Sequence, residues 1–234
     1  MKSLLRQSED GWCSVVVGHE QPDLPWSEWT RKIVWIESSF DLPPLKRGGS
    51  YSNYADFDRI LDKQRKISLG MRHLQQQEVT DWFVLDADDY FHRNFVKTYR
   101  ELPQQAGWLV NRGYIWYADI KRWSHTDRLL NLCGSTAIIS ASLFDLPRSD
   151  DDNELRKIPW CRLSHSDMEA FLRPHLSGAS PFFPLSAVAY TLSHGDNCSD
   201  EFRDTPLKQF KLWVKKRLTT RKLDREFTDK FGVR

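Results

Sequence analysis

The sequence predicts an α/β protein with a mainly parallel central sheet and helices on both faces, because strand-like and helix-like segments alternate through its first half. Short runs rich in β-branched residues, such as "CSVVVG" and "KIVWIES", are typical of buried strands. After them, apolar residues recur at three- and four-residue steps, which is the period of an amphipathic helix. The 234 residues suffice for one large domain with a helical tail.

The first half of the chain yields five elements in order. A short helix over Met1 to Gln7 would contact the sheet through Leu4 and Leu5 only. Two strands, a long helix and a third strand follow, and we place them at Trp12 to Gly18, Lys32 to Ser38, about Asp56 to Gln77, and Asp81 to Asp86. Loops rich in Pro, Gly and Ser separate the early elements.

The second half continues the alternation less regularly. We expect a helix in "FHRNFVKTYREL", one or two strands in "GWLVNRGYIWYAD", and a strand leading into a turn in "STAIISASLF". A helix in "HSDMEAFLRPHL" and a strand in "SAVAYTLSHGDN" come next. The last 30 residues are basic and helical in pattern, so we divide the chain into a domain over residues 1–204 and a tail over residues 205–234.

The composition excludes several classes of protein. A formal net charge of +2 gives no reason to expect nucleic-acid binding. No apolar stretch approaches the length of a membrane span, and the N-terminus is too polar for a signal peptide. The four cysteines, at positions 13, 133, 161 and 198, have neither CxxC nor zinc-ligand spacing. We therefore expect reduced thiols and a cytoplasmic protein.

Three acids follow directly after an apolar strand in "DWFVLDADDYF". Asp86, Asp88 and Asp89 repel one another unless a positive charge lies between them. In parallel sheets, ligands bind at the carboxyl ends of strands, where these acids lie. Two carboxylates there can bind a divalent cation, which in turn can bind a diphosphate. The alternative is an acidic N-terminus for the next helix, stabilised by the helix dipole.

Two further polar clusters have the same kind of position. His194, in "SHGDN", also follows an apolar strand and can supply an imidazole ligand to the same metal. The alternative for this segment is a simple turn. Asp62, Arg65 and Lys66, in "DKQRK", lie on the helix before the acidic strand, where the two cations can pair with phosphate. The alternative is a solvated helix face.

Taken in order, these segments resemble the GT-A glycosyltransferases, most closely bacterial members related to glycosyltransferase family 2. The similar features are the helix with Asp-Lys-x-Arg-Lys, the strand ending in Asp-Ala-Asp-Asp, and the late strand ending in His-Gly-Asp-Asn. The segments "GWLVNRGYIW", "NLCGSTAIISASLF", "FFPLSAVAYTLSHGDN" and "LTTRKLDREF" are also similar. The resemblance extends from about Ser3 to the end and implies a GT-A-like domain over residues 1–204.

The resemblance implies a nucleotide-sugar donor, with UDP or GDP, a divalent metal, Mn²⁺ or Mg²⁺, and a glycan or lipid-linked acceptor. Asp88 would be the main metal ligand, Asp86 would contact the ribose or the metal, and Asp89 would support both at the substrate site. The late metal or diphosphate ligand would be His194. Asp62, Arg65 and Lys66 would bind the donor. The base of an inverting enzyme would be Asp167 or Glu169, in "HSDMEAF".

One feature of the family has no counterpart here. GT-A domains open with a strand that precedes the first helix, whereas "SLLRQSEDGW" resembles the end of that helix. We therefore expect an uncovered edge beside the Trp12 to Gly18 strand and weak nucleotide binding. Other interpretations stay open, namely a non-catalytic GT-A relative or a truncated form that acts as a binding or partner protein, and a nucleotidyltransferase.

The aromatic residues admit two interpretations. Trp116, Tyr117 and Trp123 can stack on an acceptor sugar, but we favour ordinary packing. In the tail, an apolar helical face surrounded by cations can lie on an anionic membrane at its inner side, and we prefer the alternative of a helix packed on the domain. The apolar residues are Phe210, Trp213, Val214 and Leu218, and the cations are Lys208, Lys211, Lys215, Lys216 and Arg217.

Overall fold

The computed structural model describes residues 2–26, 32–41, 54–192, 214 and 216–233, with side chains from residue 60 onward in the long helix. The chain is mixed α/β, as predicted. It divides into two compact units. The first unit comprises Met1–Asp10, Phe83–Ile138 and Glu169–Arg234, and the second comprises Gly11–Trp82 and Ile139–Met168.

The elements of the described residues are numbered in chain order. The strands are β1 (Ser14–Gly18), β2 (Ile33–Glu37), β3 (Asp81–Phe83), β4 (Tyr90–Phe91), β5 (Gly107–Leu109), β6 (Gly113–Tyr117), β7 (Arg122–Thr126), β8 (Ala137–Ser140), β9 (Val188–Leu192) and β10 (Arg221–Lys222). The α-helices with bounds are α1 (Lys2–Leu5), α2 (Tyr54–Leu74), α3 (Phe95–Glu101), α4 (Asp152–Leu155), α5 (Pro159–Arg162), α6 (Met168–Leu172) and α7 (Arg225–Phe231). Residues 216–219 are also helical.

The second unit contains the parallel pair β1 and β2, with the long helix α2 packed on β1. The helix approaches the strand closely at Gly70, where an added Cβ would lie 2.8 Å from a methyl group of Val15. The apolar stripe of α2 that the period predicts is buried at Met71 and Leu74, whereas Ile60, which has the same spacing, is 44% exposed. Among the described residues, β1 pairs with β2 alone.

The first unit contains a five-stranded sheet in the order β10-β7-β6-β9-β4. The β6–β9 pair is parallel, whereas β10–β7, β7–β6 and β9–β4 are antiparallel. This sheet is therefore mixed, not mainly parallel as expected. The physical reason is the tight turn after β6, which reverses the chain and pairs Tyr117 with Arg122. A three-stranded sheet in the order β3-β8-β5 is also present.

Aromatic residues form the core beside the five-stranded sheet. The Phe227 ring stacks on Trp116 and Trp123, with ring centroids 5.5 and 5.2 Å away. Trp116, Tyr117 and Trp123 are all buried, which confirms the packing interpretation for these three residues. Helix α7 carries Phe227 into this core. It starts at an Asp224 side chain that accepts a hydrogen bond from the Phe227 N–H at 2.8 Å.

Both ends of the described chain differ in detail from expectation. Leu4 is buried, but Leu5 is 38% exposed and does not serve as a second apolar contact. Instead, the buried Ser3 hydroxyl accepts a hydrogen bond from the Phe91 N–H at 3.2 Å. In the tail, Lys216 is buried against Asp119 rather than solvated, and β10 adds a strand to a segment predicted to be helical.

Several predicted features lie wholly or partly outside the described residues. Of the predicted membrane-facing set, positions 208, 210, 211, 213 and 215 are not described. The described cysteines Cys13, Cys133 and Cys161 are free thiols, and Cys198 lies outside the described part. No helix among the described residues is both long enough and apolar enough to cross a bilayer.

The aromatic core predicts a large stability difference between two substitutions in the C-terminal segment. Phe227→Ala removes a ring that is 1% exposed and should lower the free energy of unfolding by about 3–5 kcal/mol. Leu218→Ala is the control, because this side chain is 79% exposed and its loss should cost less than about 0.5 kcal/mol. Urea unfolding followed by tryptophan fluorescence measures both. Equal losses would contradict the assigned packing.

Candidate functional site

The three acids of the strand–turn segment form a tight turn between β3 and β4. The Asp89 N–H donates to the Asp86 carbonyl oxygen at 3.1 Å, which closes the turn. Asp86 and Asp88 are half-buried, and Asp89 is 3% exposed. The turn therefore places one carboxyl group inside the protein and leaves two partly open to solvent.

Asp89 is held by three neutral hydrogen-bond donors. Its Oδ2 accepts from the Ser135 hydroxyl at 2.7 Å and from the Cys133 thiol at 3.0 Å. Its Oδ1 accepts from the Thr191 N–H at 3.0 Å. Both oxygens therefore have hydrogen-bond partners within the protein, and the substrate contact expected from the resemblance stays a prediction.

The same partners also hold the backbone of the other two acids. The Ser135 hydroxyl accepts from the Asp86 N–H at 2.9 Å, so this one side chain connects Asp86 with Asp89. The Thr191 hydroxyl donates to the Asp88 carbonyl oxygen at 2.5 Å. Ser135 precedes β8 and Thr191 belongs to β9, so two separate segments fix the conformation of the turn.

Burial changes the acid–base behaviour of this group. Burial is the main reason why the pKa of Asp89 is raised to about 7. The charges of Asp86 and Asp88 also raise this pKa, whereas the hydrogen bonds from Cys133 and Ser135 lower it. Burial, followed by the charge of Asp89, raises the pKa of the Cys133 thiol well above its ordinary value. Asp89 therefore titrates near neutral pH, while Cys133 stays protonated and able to donate.

The turn offers a donor set suited to a divalent cation. Mg²⁺ in proteins is commonly bound by one or two carboxylates together with substrate phosphates, and Asp86 and Asp88 meet that requirement. Among the described residues no group of three or more His, Cys, Asp or Glu side chains is placed to bind a metal ion. His194, the third expected ligand, lies outside the described part of the chain.

A second polar cluster lies in the second unit at the carboxyl ends of β1 and β2. The His19 Nε2 and Asp62 Oδ1 atoms are 2.7 Å apart, and the Lys66 ammonium donates to Asp62 Oδ2 at 2.7 Å. The Ser38 hydroxyl lies 2.7 Å from His19 Nδ1. Asp62 and Lys66 therefore do not form a solvated helix face, since they belong to a hydrogen-bonded line of four side chains.

Arg65 contributes to the same region. Its guanidinium carbon lies 5.7 Å from the centroid of the Phe40 ring, and the His19 ring meets Phe40 edge-on at 5.4 Å. The buried Nε atom of Arg65 has no hydrogen-bond partner in the part of the chain that the structure describes. Asp62, Arg65 and Lys66 were predicted from the sequence, whereas His19, Ser38 and Phe40 were not. His19 and Ser38 come directly after two adjacent strands, and this position in the sequence could have identified them as candidate site residues.

The two candidate base residues have different surroundings. Asp167 is exposed and accepts a hydrogen bond from the Ser164 hydroxyl at 2.9 Å. Glu169 accepts from the guanidinium of Arg173, one helical turn later. Asp167 therefore presents the less engaged carboxylate of the two.

Comparison of the chain with protein-family models, with curated proteins and with solved structures found no match. The functional argument therefore depends on the residues themselves. The sequence analysis found the three acids but not their partners Cys133, Ser135 and Thr191. Ser135 precedes an apolar strand and Thr191 lies within one, and small hydroxyl residues at such positions carry no distinctive pattern.

The raised pKa of Asp89 predicts how stability depends on pH. Between about pH 4 and 7, Asp89 retains a proton in the native protein that it has lost in the unfolded chain. The contribution of Asp89 to the free energy of unfolding therefore falls as pH rises, by up to about 1.4 kcal/mol per pH unit. Asp89→Asn removes this dependence. From pH 5 to pH 8 in EDTA, the variant should therefore gain about 2 kcal/mol relative to the unmodified protein.

Urea unfolding of both proteins at the two pH values measures this difference. His92 has the opposite slope, because burial and the nearby Lys230 and Arg93 charges lower its pKa to about 4. That contribution is common to both proteins and cancels in the comparison. Identical pH profiles for the two proteins would contradict the assignment to Asp89.

Proposed function

We propose that this chain is a metal-dependent glycosyltransferase of the GT-A type, which transfers a sugar from a UDP- or GDP-sugar to a glycan or lipid-linked acceptor. The observation that carries the proposal is the turn in which Asp86 and Asp88 follow a strand while Ser135 and Thr191, the partners of the buried Asp89, hold their backbone. Carboxylates that are fixed by other groups can bind a cation without a large loss of conformational freedom.

Asp86 and Asp88 would hold the cation, Mn²⁺ or Mg²⁺, and His194 remains the proposed third ligand. When bound, the cation neutralises negative charge that develops on the leaving diphosphate. The contribution of Asp89 is indirect. Its hydrogen bonds with Ser135 and Thr191 keep the turn in one conformation, so that the two ligating carboxylates need not reorganise.

Arg65 and Lys66, which belong to the second unit, remain the proposed partners for a phosphate group. In support, Lys66 is oriented by the Asp62 carboxylate at 2.7 Å, and Arg65 is oriented over the Phe40 ring. Asp62 engages both of its oxygens with His19 and Lys66, which suits a positioning role better than direct donor contact. Arginine and lysine pair well with phosphate oxygens when their orientation is already fixed.

Asp167 is our preferred base. A base must accept the proton of the acceptor hydroxyl, and so its carboxylate must be reachable and not already paired with a cation. Asp167 is exposed and has a neutral hydroxyl partner, whereas Glu169 is paired with Arg173. We also propose a cytoplasmic location, which agrees with free thiols at the three described cysteines.

The metal role of the acidic turn predicts the effect of removing one carboxylate. Substitution of a residue that only orients a metal ligand typically weakens metal binding about 10–100-fold. Asp88 is itself a proposed ligand, so Asp88→Asn should weaken Mn²⁺-dependent nucleotide binding by at least about 100-fold. Calorimetric titration of UDP and of GDP, with and without Mn²⁺, measures this. Hydrolysis of the matching nucleotide-sugar should fall in parallel.

Asp127→Asn is the matched control, because that carboxylate is 73% exposed and belongs to the same unit. It should bind nucleotide as the unmodified protein does, and circular dichroism should show both variants to be folded. If the unmodified chain binds neither nucleotide in a metal-dependent way, the enzyme proposal is wrong and the non-catalytic alternative gains support. Unchanged binding in Asp88→Asn would reject the acidic turn as the metal site.

A further inference from the structure

A basic pocket of about 530 Å³ lies in the first unit, beside the turn that joins β6 to β7. It is lined on one side by that turn and on the other by the segment that leads into α7. The lining residues are Asp119, Ile120, Lys121, Arg122, Arg217, Lys222 and Leu223. Four of these side chains are basic and one is acidic, which gives the lining a formal charge of +3. None of these residues belongs to the proposed donor or metal site.

Hydrogen bonds join the two sides of the pocket. Arg122 donates from Nε to the Thr220 hydroxyl at 2.6 Å and also contacts the Thr220 carbonyl oxygen. The Leu223 N–H donates to the Lys121 carbonyl oxygen at 3.0 Å. The pocket is therefore defined by tertiary structure, and its shape does not depend on one mobile side chain.

Asp119, the one acid among the described lining residues, is already neutralised. The Asp119 carboxylate accepts from the ammonium of Lys216 at 2.9 Å, and that lysine is buried with its ammonium 5.0 Å from the Tyr117 ring centroid. Asp119 is therefore a poor counter-charge for Lys121 and Lys222, which form no ion pair among the described residues. A multivalent anion from solution would supply a counter-charge for these two lysines.

The strand register explains why one lysine faces the pocket. Lys222 lies opposite Arg122 in the β10–β7 pair, so the two side chains lie on the same face of the sheet. Arg221, next to it, lies opposite Trp123, and its guanidinium covers that ring at 5.3 Å. Because successive side chains of a strand lie on opposite faces of the sheet, Arg221 covers the core and Lys222 lies at the pocket.

The turn supplies a second lysine in an unusual conformation. Lys121 has a positive φ of 49°, which is uncommon for a residue other than Gly, Asn or Asp. A glycine or asparagine would suit this backbone better for stability alone. The position of an exposed lysine at this point therefore suggests a role for its charge.

We propose that this pocket binds the phosphate or diphosphate group of an anionic ligand. Ammonium and guanidinium groups are the usual partners of phosphate oxygens, and a net charge of +3 suits a multivalent anion better than a carboxylate. The phosphate group has two possible sources, a soluble ligand or a lipid headgroup. A lipid source agrees with Leu218, which is 79% exposed in the segment that ends at the pocket.

The test uses the full chain in EDTA, so that a metal-loaded acidic turn makes no contribution. Inorganic pyrophosphate is titrated by calorimetry, and co-sedimentation is measured with phosphatidylcholine vesicles with and without phosphatidic acid. Lys121→Asn combined with Lys222→Gln should weaken binding by at least about tenfold, because two charge-assisted contacts are lost. Asparagine tolerates the positive φ at position 121, so the double variant should keep its fold.

Lys2→Gln combined with Lys97→Gln is the control, since both lysines are exposed in the same unit and the net charge changes equally. It should leave binding unchanged. If the pocket variant weakens pyrophosphate binding, the result supports a soluble ligand. If it weakens binding to vesicles that contain phosphatidic acid, the result supports a lipid headgroup. No binding to either probe, or equal weakening in both double variants, would overturn the proposal. The Asp88→Asn variant should bind as the unmodified protein does, which separates this test from that of the proposed glycosyltransferase.

Discussion

The buried carboxyl group of Asp89 is the constraint on which the candidate site depends. A carboxyl group that is 3% exposed loses most of its hydration, and this cost must be offset by hydrogen bonds. Ser135, Cys133 and the Thr191 backbone supply three of them, and none carries a positive charge. The balance between the lost hydration and these bonds explains why the pKa rises to about 7 while the side chain stays fully bonded.

The same constraint separates the roles of neighbouring acids. Asp89 lies inside and its partners hold the backbone of Asp86 and Asp88, which leaves the latter two as the proposed ligands. A similar division occurs in the second unit, where Asp62 engages both oxygens with His19 and Lys66. In each cluster one carboxylate, Asp89 or Asp62, has both oxygens hydrogen-bonded within the protein. Fewer acids are therefore suited to bind a ligand than the sequence motif contains.

The sequence predicted local features well and long-range partners poorly. The β-branched runs of β1 and β2 and the period of α2 depend on nearby residues, and these elements were placed within a few positions. The partners of Asp89 are 44, 46 and 102 positions away, so only tertiary structure reveals them. The mixed sheet was missed because the turn after β6 reverses the chain and because β10 joins the sheet from the tail. Aromatic residues such as Trp123 were assigned correctly to the core, because large aromatic side chains are usually buried.

The central claim is that Ser135 couples the buried carboxyl group to the turn. A double-mutant cycle with Ser135→Ala, Asp89→Asn and the combined variant measures that coupling directly by urea unfolding at pH 8. The Ser135 hydroxyl contacts both Asp89 Oδ2 and the Asp86 N–H, so the account predicts a coupling energy of about 1–3 kcal/mol. Additive effects within about 0.3 kcal/mol would contradict it, because independent sites behave in that way.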